Sequence, residues 1–457
     1  MLTVDPSVDF GVLNDRLAGD VVTQSDEAFD ASRLAWNLSV DQQPVAVVYP
    51  EAAADVVAIV EFAAEHGLRV AFQGGGHNAG PITWTDHAIL LKTERMRGIE
   101  IDPVGQRARV EAGVLADELA TAAGKHGLCY LAGTSPDVGV VGYMIGGGIS
   151  WMVRKYGLAA NSILAAELVT ADGQLRRVDA ENDPDLFWAI RGGGGNFGAI
   201  TALEVQLYPI TEIYAGCLFW PIERAVEILK AWRAWIDTVP EECSSLGRLL
   251  KLPDLPFIPD HLKARDFVMI EPAFLGSEED GAALVQPLRD LEPEFDTVAM
   301  IPTSQLSTVN MDPAEPVPYH GEGIHMHAFD DECIEKLVDV ILDTPLMHSE
   351  VRQLGGAAGR SAAGHGALDK IDSAFTTLTF GLALDAEMKA DMERHLVRLH
   401  ETLGDWDSGF RYLNFAESSM DVEMIYPPSS FRRLSEIKGR VDPNHVFLAN
   451  HPIRSAG

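Results

Sequence analysis

Four glycine-rich segments fall within the first 200 residues of this 457-residue chain. They cover residues 74–76, 133–142, 146–148 and 192–198. Glycine has no Cβ, so a run of glycines lets backbone N–H groups approach a phosphate and form an anion-binding nest. One such segment is weak support for a site. Four together predict a site for an extended ligand that carries a pyrophosphate.

The last glycine segment fits the GxGxxG pattern of dinucleotide-binding folds at residues 193–198. In a Rossmann fold that pattern follows a strand and opens a helix. Here a predicted helix through residues 186–188 precedes it, and a predicted strand at 199–208 follows it. The order argues against a Rossmann site. The sequence also lacks a GxxxxGK[ST] loop, an HExxH helix and a GxSxG elbow, which excludes the commonest hydrolases.

The chain is longer than one hydrophobic core usually organises, so we expect two domains or one domain with a large insertion. The 35 basic and 68 acidic side chains give a net charge of −33. Such a charge repels phosphate backbones and anionic lipids, so we expect no nucleic-acid or membrane partner and interpret the charge as a solvated acidic surface. The first residues lack a secretory signal, which favours a cytoplasmic protein. The four cysteines lie far apart without a CxxC pair, which predicts reduced core thiols and no metal site.

A predicted strand runs directly into the first glycine segment. Residues 55–66 have apolar side chains at helical spacing, and residues 68–72 follow as a strand, so strand, glycine loop and His77 form one local unit. Residues 131–148 are predicted to be a loop. Further predicted helices lie at 115–126, 224–237, 331–342, 386–403 and 431–441. Further predicted strands lie at 108–111, 163–170, 174–178, 199–208 and 378–384. The mixture indicates an α+β fold.

An ordered set of motifs resembles the berberine-bridge-enzyme-like branch of the vanillyl-alcohol oxidase and p-cresol methylhydroxylase (PCMH) flavoproteins. The resemblance covers about residues 33–211 and 411–453. Residues 213–405 match only in their general alternation of predicted helices and strands. The motifs are GGGHN at 74–78, GTSPDVG at 133–139, GGG at 146–148, KYGL at 155–158, DLFW at 185–188, RGGGGNFG at 191–198 and YLN at 412–414.

This resemblance implies a two-part PCMH-type FAD-binding domain with an inserted α+β substrate domain, in which helices cover an antiparallel sheet. The expected boundaries are residues 1–212 for the FAD domain (core about 40–211), 213–405 for the substrate domain and 406–457 for a segment that returns to the FAD domain. The resemblance further implies that His77 forms the 8α bond to FAD. Without the other motifs, a loop histidine bonded to backbone would be the simpler interpretation of His77. The implied cofactor-binding residues are Gly74, Gly75, Gly76, His77, Asn78, Gly133, Thr134, Ser135, Val138, Gly139, Gly142, Tyr143, Gly147, Gly148, Gly198, Ile200, Tyr412 and Asn414.

Three positions depart from the family pattern. Ser135 stands where members with a doubly tethered flavin have cysteine, so one covalent link is predicted. Tyr143 replaces a histidine that is common in the family. Phe415 occupies the place of a tyrosine base in carbohydrate-type relatives, which weakens the assignment to carbohydrate oxidases and leaves the proton acceptor open.

The remaining candidates for catalytic roles are Tyr143, Tyr412, His325 and His327. As a strand, residues 323–327 would place both histidines on one face, although a polar sheet face is the simpler interpretation. Asp372 could orient such a base or cap a turn.

The resemblance implies an oxidase that moves a hydride from an alcohol or amine carbon of a small molecule to FAD, with O₂ as acceptor and H₂O₂ as product. Val138 favours the oxidase because a small residue there leaves room for O₂ in relatives. A dehydrogenase with another acceptor, and a flavoprotein that uses FAD structurally or for a non-redox cyclisation or isomerisation, are the alternatives. The substrate and the oligomeric state are not predicted.

Overall fold

The computed structural model describes residues 8–82, 84, 87–252, 263–313 and 315–455. Its helices and three sheets confirm the predicted α+β class. None of the helices in these ranges combines the length and the apolar character that crossing a bilayer requires. The same ranges contain no cluster of His, Cys, Asp and Glu side chains arranged to hold a metal ion. All four cysteines are buried and none is in a disulfide.

The first half of the chain forms two sheets. Its elements are α1 (Phe10–Asn14), β1 (Asp20–Thr23), α2 (Phe29–Ser32), β2 (Ala46–Tyr49), α3 (Ala53–Glu65), β3 (Arg69–Gln73), β4 (Ala88–Lys92), β5 (Ile99–Asp102), β6 (Arg107–Glu111), α4 (Ala116–Gly124), α5 (Val140–Ile145), α6 (Val153–Tyr156), β7 (Ile163–Val169), β8 (Leu175–Asp179), α7 (Pro184–Ile190) and β9 (Ala199–Gln206). One sheet has the order β1-β2-β4-β3, with β2 and β3 parallel to β4. The other is antiparallel, with the order β5-β6-β9-β7-β8.

The second half forms a ten-stranded sheet covered by helices. Its elements are β10 (Glu212–Ala215), β11 (Leu218–Pro221), α8 (Ala225–Ile236), β12 (Cys243–Lys251), β13 (Asp266–Phe274), α9 (Glu278–Arg289), β14 (Phe295–Asp296), β15 (Ala299–Pro302), β16 (Tyr319–Glu322), β17 (His325–Met326), α10 (Asp331–Leu342), β18 (His348–Gln353), β19 (Phe375–Leu382) and α11 (Ala386–Thr402). Its pairings are antiparallel along the path β14-β11-β13-β12-β18-β19-β16. Apolar side chains of α8, α10 and α11, such as Trp232, Leu337 and Leu396, share one core with this sheet. This is the architecture that the resemblance implies.

The end of the chain returns to the first half. Helix α12 (Pro428–Val441) ends beside a buried ion pair, in which Lys438 Nζ lies 2.6 Å from Asp442 Oδ2. The segment that follows joins β3, because Val70 N–H donates to Val446 O and Leu448 N–H donates to Val70 O. Strand β3 leads into the first glycine segment, so the two ends of the chain build this region together.

The predicted helices and strands lie within three residues of the observed ones, with two exceptions. Residues 131–148, predicted as a loop, contain α5, which follows Gly139 and buries its apolar side chains Val140, Val141, Met144 and Ile145. The strand predicted at 323–327 is reduced to β17. Its flanks bond elsewhere, since Gly323 N–H donates to Phe415 O and Ile324 N–H donates to Thr377 Oγ1.

Candidate functional site

A cavity of about 330 Å³ lies where the two halves of the chain meet. Its walls come from the glycine segments, from strands β18 and β19, and from residues 412–417 and 448–451. Its volume is within the range of small-molecule sites. The predicted cofactor residues that line it are Gly74, Gly75, Gly76, His77, Asn78, Gly133, Thr134, Ser135, Val138, Gly139, Gly142, Tyr143, Ile200, Tyr412 and Asn414.

The first glycine loop presents free backbone amides to the cavity. Trp36 and Asn37 donate their N–H groups to the carbonyls of Gly75 and Gly76. The N–H groups of residues 74–78 themselves donate to no group in the described part of the chain. Gly76 has a φ of 89°, and a Cβ there would lie 2.9 Å from the Gln73 side-chain amide. Only glycine fits this turn, which leaves amides available to an anion.

The second glycine segment leads into α5. Gly139 caps this helix, and the N–H groups of Val141 and Gly142 have no acceptor among the described residues. Gly133 must be small for a packing reason, because a Cβ there would lie 3.0 Å from Cε2 of Tyr143. The segment therefore adds further unpaired amides beside the first loop.

Three predicted cofactor residues, Gly147, Gly148 and Gly198, do not line the cavity. A Cβ on Gly148 would lie 2.6 Å from the Cβ of Ala159, and one on Gly198 would lie 2.7 Å from Cδ1 of Leu168. Gly147 has a φ of 120°. These glycines allow close packing around the site, and contact of these three with the ligand stays a prediction. A sequence pattern does not separate the two uses, since both depend on the missing Cβ.

His77 lies between a tryptophan ring and a carboxylate. The Trp36 ring stacks on its imidazole with centroids 4.1 Å apart and an interplanar angle of 17°. His77 Nε2 lies 3.3 Å from Asp137 Oδ1. The Trp36 Nε1–H donates to Asp137 Oδ2. The simpler interpretation, a ring bonded to backbone, does not describe these contacts.

Tyr412 and Asn414 bring the C-terminal segment into the site. The Tyr412 hydroxyl oxygen accepts from Ile149 N–H at 3.0 Å and from Asn414 Nδ2 at 3.1 Å. Its own proton is therefore available for a ligand. Tyr143, the other predicted tyrosine, donates its hydroxyl to Leu131 O at 3.0 Å. Burial raises the pKa of both tyrosines, so neither is a phenolate near pH 7.

His325 and His327 do not line the cavity, and the prediction that they share one face was wrong. The strand ends at Met326, so His325 is buried while His327 is exposed. Burial lowers the pKa of His325 to about 3. Asp372 is exposed and pairs with Lys370 at 2.6 Å, so it orients neither histidine.

The sequence analysis missed the side chains that β18 contributes. His348, Glu350 and Arg352 alternate along this strand and line the cavity together. Residues two apart in a strand share one face. The pattern His-x-Glu-x-Arg was visible in the sequence, but nothing local marked this strand as facing the ligand.

These three side chains form a polar row that contacts the second glycine segment. Arg352 donates from Nε to Glu350 Oε1 at 2.7 Å and from Nη2 to Thr134 Oγ1 at 3.1 Å. Burial opposes ionisation of Glu350, but the Arg352 charge and the nearby His348, whose Nε2 lies 3.4 Å from Glu350 Oε2, outweigh it and lower the pKa of Glu350 to about 2. Burial lowers the pKa of His348, which is neutral at pH 7. The row thus carries one ionised carboxylate and one guanidinium.

Asp312 adds a second carboxylate to the same wall. It accepts hydrogen bonds from Ser135 Oγ and from Asn310 Nδ2. In the described ranges no Lys or Arg nitrogen lies within ion-pair distance of it. Ser135 is thereby bonded across to the segment that connects β15 with β16.

Glu417 and Tyr319 close the cavity beside His77. The Tyr319 hydroxyl lies 2.8 Å from Glu417 Oε1 and 3.1 Å from His77 O. Burial raises the pKa of Glu417 to about 8, so this carboxyl is protonated at neutral pH.

Replacing Glu417 with Gln should change how stability depends on pH. The folded pKa of about 8 lies above the ordinary value of 4.5, so stability is complete below pH 4.5 and is lost as pH rises toward 8. Compared with Glu417→Gln, the wild-type free energy of unfolding should fall by up to about 1.4 kcal/mol per pH unit in this window. Chemical denaturation from pH 5 to pH 9 measures it. Glu423→Gln at an exposed site should leave the slope unchanged, and parallel curves for Glu417→Gln would refute the assignment.

Polar atoms around the cavity fit a large polar ligand such as FAD. Gln73 Oε1, Asn78 Oδ1 and His451 Nδ1 are buried, line the cavity and have no hydrogen-bond partner in the part of the chain described. Buried polar atoms in native proteins are normally bonded. With the free amides of the glycine loops, they provide donors and acceptors for a dinucleotide.

Comparison with known proteins agrees with this fit. Residues 44–179 match the family model of an FAD binding domain, and residues 411–454 match one described as berberine and berberine like. The (R)-6-hydroxynicotine oxidase of Paenarthrobacter nicotinovorans is 28% identical, over 96% of this chain and 98% of its own length. Glucooligosaccharide oxidase of Sarocladium strictum is 24% identical, over 93% and 90%.

The fold also matches solved structures over nearly the whole chain. Wild-type BBE-like 1 of Physcomitrella patens superposes with a TM-score of 0.85 at 19% identity, covering 98% of this chain and 100% of that one. The FAD-binding match contains the first glycine loop, the second glycine segment and α5. The berberine-like match contains Tyr412 and Asn414.

Proposed function

Because the chain belongs to the berberine-bridge-enzyme-like FAD-linked oxidoreductases, we propose that it removes a hydride from an alcohol or amine carbon of a small molecule. FAD, linked through His77 alone, supplies the two-electron acceptor, and O₂ takes the electrons to give H₂O₂. Ser135 supports the single link, since its hydroxyl cannot form a thioether.

The observation that carries this proposal is the composition of one cavity. His77 and the free amides line the same cavity as Glu350 and Arg352, and Arg352 contacts the second glycine segment through Thr134. A small molecule bound to β18 would therefore lie against the cofactor. The β18 side chains are buried, whereas residues 74–78 are half-buried, so low polarity strengthens electrostatic contacts with the substrate chiefly at Glu350 and Arg352.

The side chains near the reacting carbon differ in what they offer a substrate. The Tyr412 hydroxyl already accepts two N–H groups, so it acts as a donor that polarises a substrate heteroatom. Glu350 accepts hydrogen bonds and remains ionised over the working pH range. Phe415 offers no acceptor, and the Arg352 guanidinium lies 4.9 Å from the centre of its ring.

Of the two substrate types, these residues favour an amine. Oxidation of an alcohol needs a base that accepts the hydroxyl proton. Phe415 stands at the position of the tyrosine base, and its side chain cannot accept a proton. An amine donates a hydride from its neutral form without such a base, and the Asp312 carboxylate can hold the amine nitrogen. The similarity to (R)-6-hydroxynicotine oxidase supports an amine, whereas the similarity to glucooligosaccharide oxidase supports a sugar.

The test is a screen of amines, sugars and aromatic alcohols against the purified holoprotein. An amine should bleach the flavin under anaerobic conditions, and admission of air should restore its colour with one H₂O₂ per turnover. Product formation with the flavin always oxidised would identify non-redox chemistry. Bleaching by a substrate with no recovery in air would identify a dehydrogenase.

Replacing Val138 with Leu should slow the reaction of the reduced flavin with O₂. Val138 lines the cavity, and one added methylene there narrows the space that O₂ needs. We expect reoxidation to slow by about tenfold, equivalent to about 1.4 kcal/mol of barrier. Stopped-flow mixing of reduced protein with air-saturated buffer measures the rate. Val138→Ala is the matched control and should react at least as fast as wild type. Equal rates for all three proteins would remove Val138 from oxygen access.

A further inference from the structure

We propose that Asp137 is the positioning residue for the bond between His77 and the flavin. It orients the imidazole through Nε2 and compensates the positive charge that bond formation places on the ring. This inference rests on the covalent link proposed above.

The Asp137 carboxylate is shared between two stacked rings. Its Oδ2 accepts from Trp36 Nε1–H, and its Oδ1 lies 3.3 Å from His77 Nε2. Both Oδ1 and Nε2 are buried, and neither has a hydrogen-bond partner in the described ranges other than this close contact. Each carboxylate oxygen thus contacts one of the two rings. The Trp36 and His77 rings are stacked and nearly parallel.

A carboxylate selects one tautomer of the imidazole. Ionised Asp137 only accepts hydrogen bonds, so the proton of neutral His77 belongs on Nε2. The lone pair is then on Nδ1, and no described group hydrogen bonds to that nitrogen. Carboxylates orient metal-binding histidines in the same way, by holding the nitrogen that does not bind the metal.

The charge balance of the linking step gives Asp137 its second role. The Nδ1 lone pair would form a bond to the flavin 8α carbon, and that carbon would lose one C–H proton to solvent and two electrons to the ring. The isoalloxazine ring accepts the two electrons, and O₂ removes them as H₂O₂. The new bond makes the imidazole cationic until Nε2 loses its proton, and the adjacent carboxylate stabilises that cation and accepts the proton.

Other groups near His77 do not supply this function. Tyr319 contacts the backbone carbonyl of His77 and not its ring. Glu417 is kept protonated by burial and bonds to Tyr319. Asp137 is thus the carboxylate that faces the ring.

The test compares covalent flavin in freshly purified holoproteins. Acid precipitation separates flavin that stays with the protein from flavin that is released, and the absorbance before acid gives total flavin. Asp137→Asn should keep the total flavin content but lower the covalent fraction by about tenfold, the smaller of the effects seen when a histidine ligand loses its carboxylate partner. Incubation with FAD in air should raise that fraction slowly. Asp137→Glu should restore part of it.

Two further variants make the result decisive. Trp36→Phe keeps an aromatic ring on His77 but loses the Nε1–H, and it should lower the covalent fraction less than Asp137→Asn does. Asp372→Asn, at an exposed carboxylate, should match wild type. A wild-type covalent fraction in Asp137→Asn overturns the role of Asp137 alone. Wild-type protein that releases all its flavin in acid overturns the covalent link itself, and this inference with it.

Discussion

Protein with His77 replaced by Ala is expected to release all of its flavin into the supernatant when it is precipitated with acid. Alanine has no nitrogen that can bond to the flavin. The glycine-loop amides, Asn78 and Asn414 remain, so the variant should still purify with FAD, although less of it. Flavin fluorescence of the protein band on a denaturing gel provides a second measurement, and this band should be dark.

The control for this variant is His126→Ala, which removes an exposed histidine that does not line the cavity. Its denatured band should fluoresce as brightly as that of wild type. A His77→Ala protein with a yellow precipitate would show that another residue holds the flavin.

Replacement of Lys438 with Met should destabilise the protein strongly. The Lys438 and Asp442 side chains are 2% and 0% exposed, and Lys438 Nζ also donates to Asn196 O at 2.7 Å. Methionine leaves the Asp442 carboxylate buried without a cation, although Val446 and Phe447 still donate N–H groups to it. Loss of one partner from a buried pair costs about 3–5 kcal/mol. Urea denaturation measures the change in the free energy of unfolding.

An exposed ion pair serves as the comparison. Lys155 pairs with Glu242 at 2.7 Å, and both side chains are more than one third exposed. Lys155→Met should therefore cost about 1 kcal/mol or less. Equal losses in the two variants would show that burial does not decide the strength of these pairs.

The parts of the site that could be predicted from sequence are local ones. The glycine loop before His77 and the amphipathic helices depend on backbone freedom and side-chain period, which neighbouring residues determine. The neighbouring sequence did not distinguish Gly76, which allows the turn in the first glycine loop, from Gly198, which packs on Leu168.

The residues that were missed act through long-range pairing. Arg352 reaches Thr134, and Trp36 and His77 meet Asp137, across separations that no sequence period records. The error over His327 had a different cause. A strand was predicted over residues 323–327, but only His325 and Met326 form one. The neighbouring backbone groups hydrogen bond to other segments, which ends the strand before His327.

The junction between β3 and the returning segment has a consequence for biosynthesis. Asn450 donates its side-chain amide to Asn78 O, and residues 446–448 bond to Val70 directly before the glycine loop. Residues 446–450 are translated after the glycine segments and the strands that line the rest of the cavity. A chain that stalls before residue 446 therefore has an incomplete cavity wall in which to hold FAD.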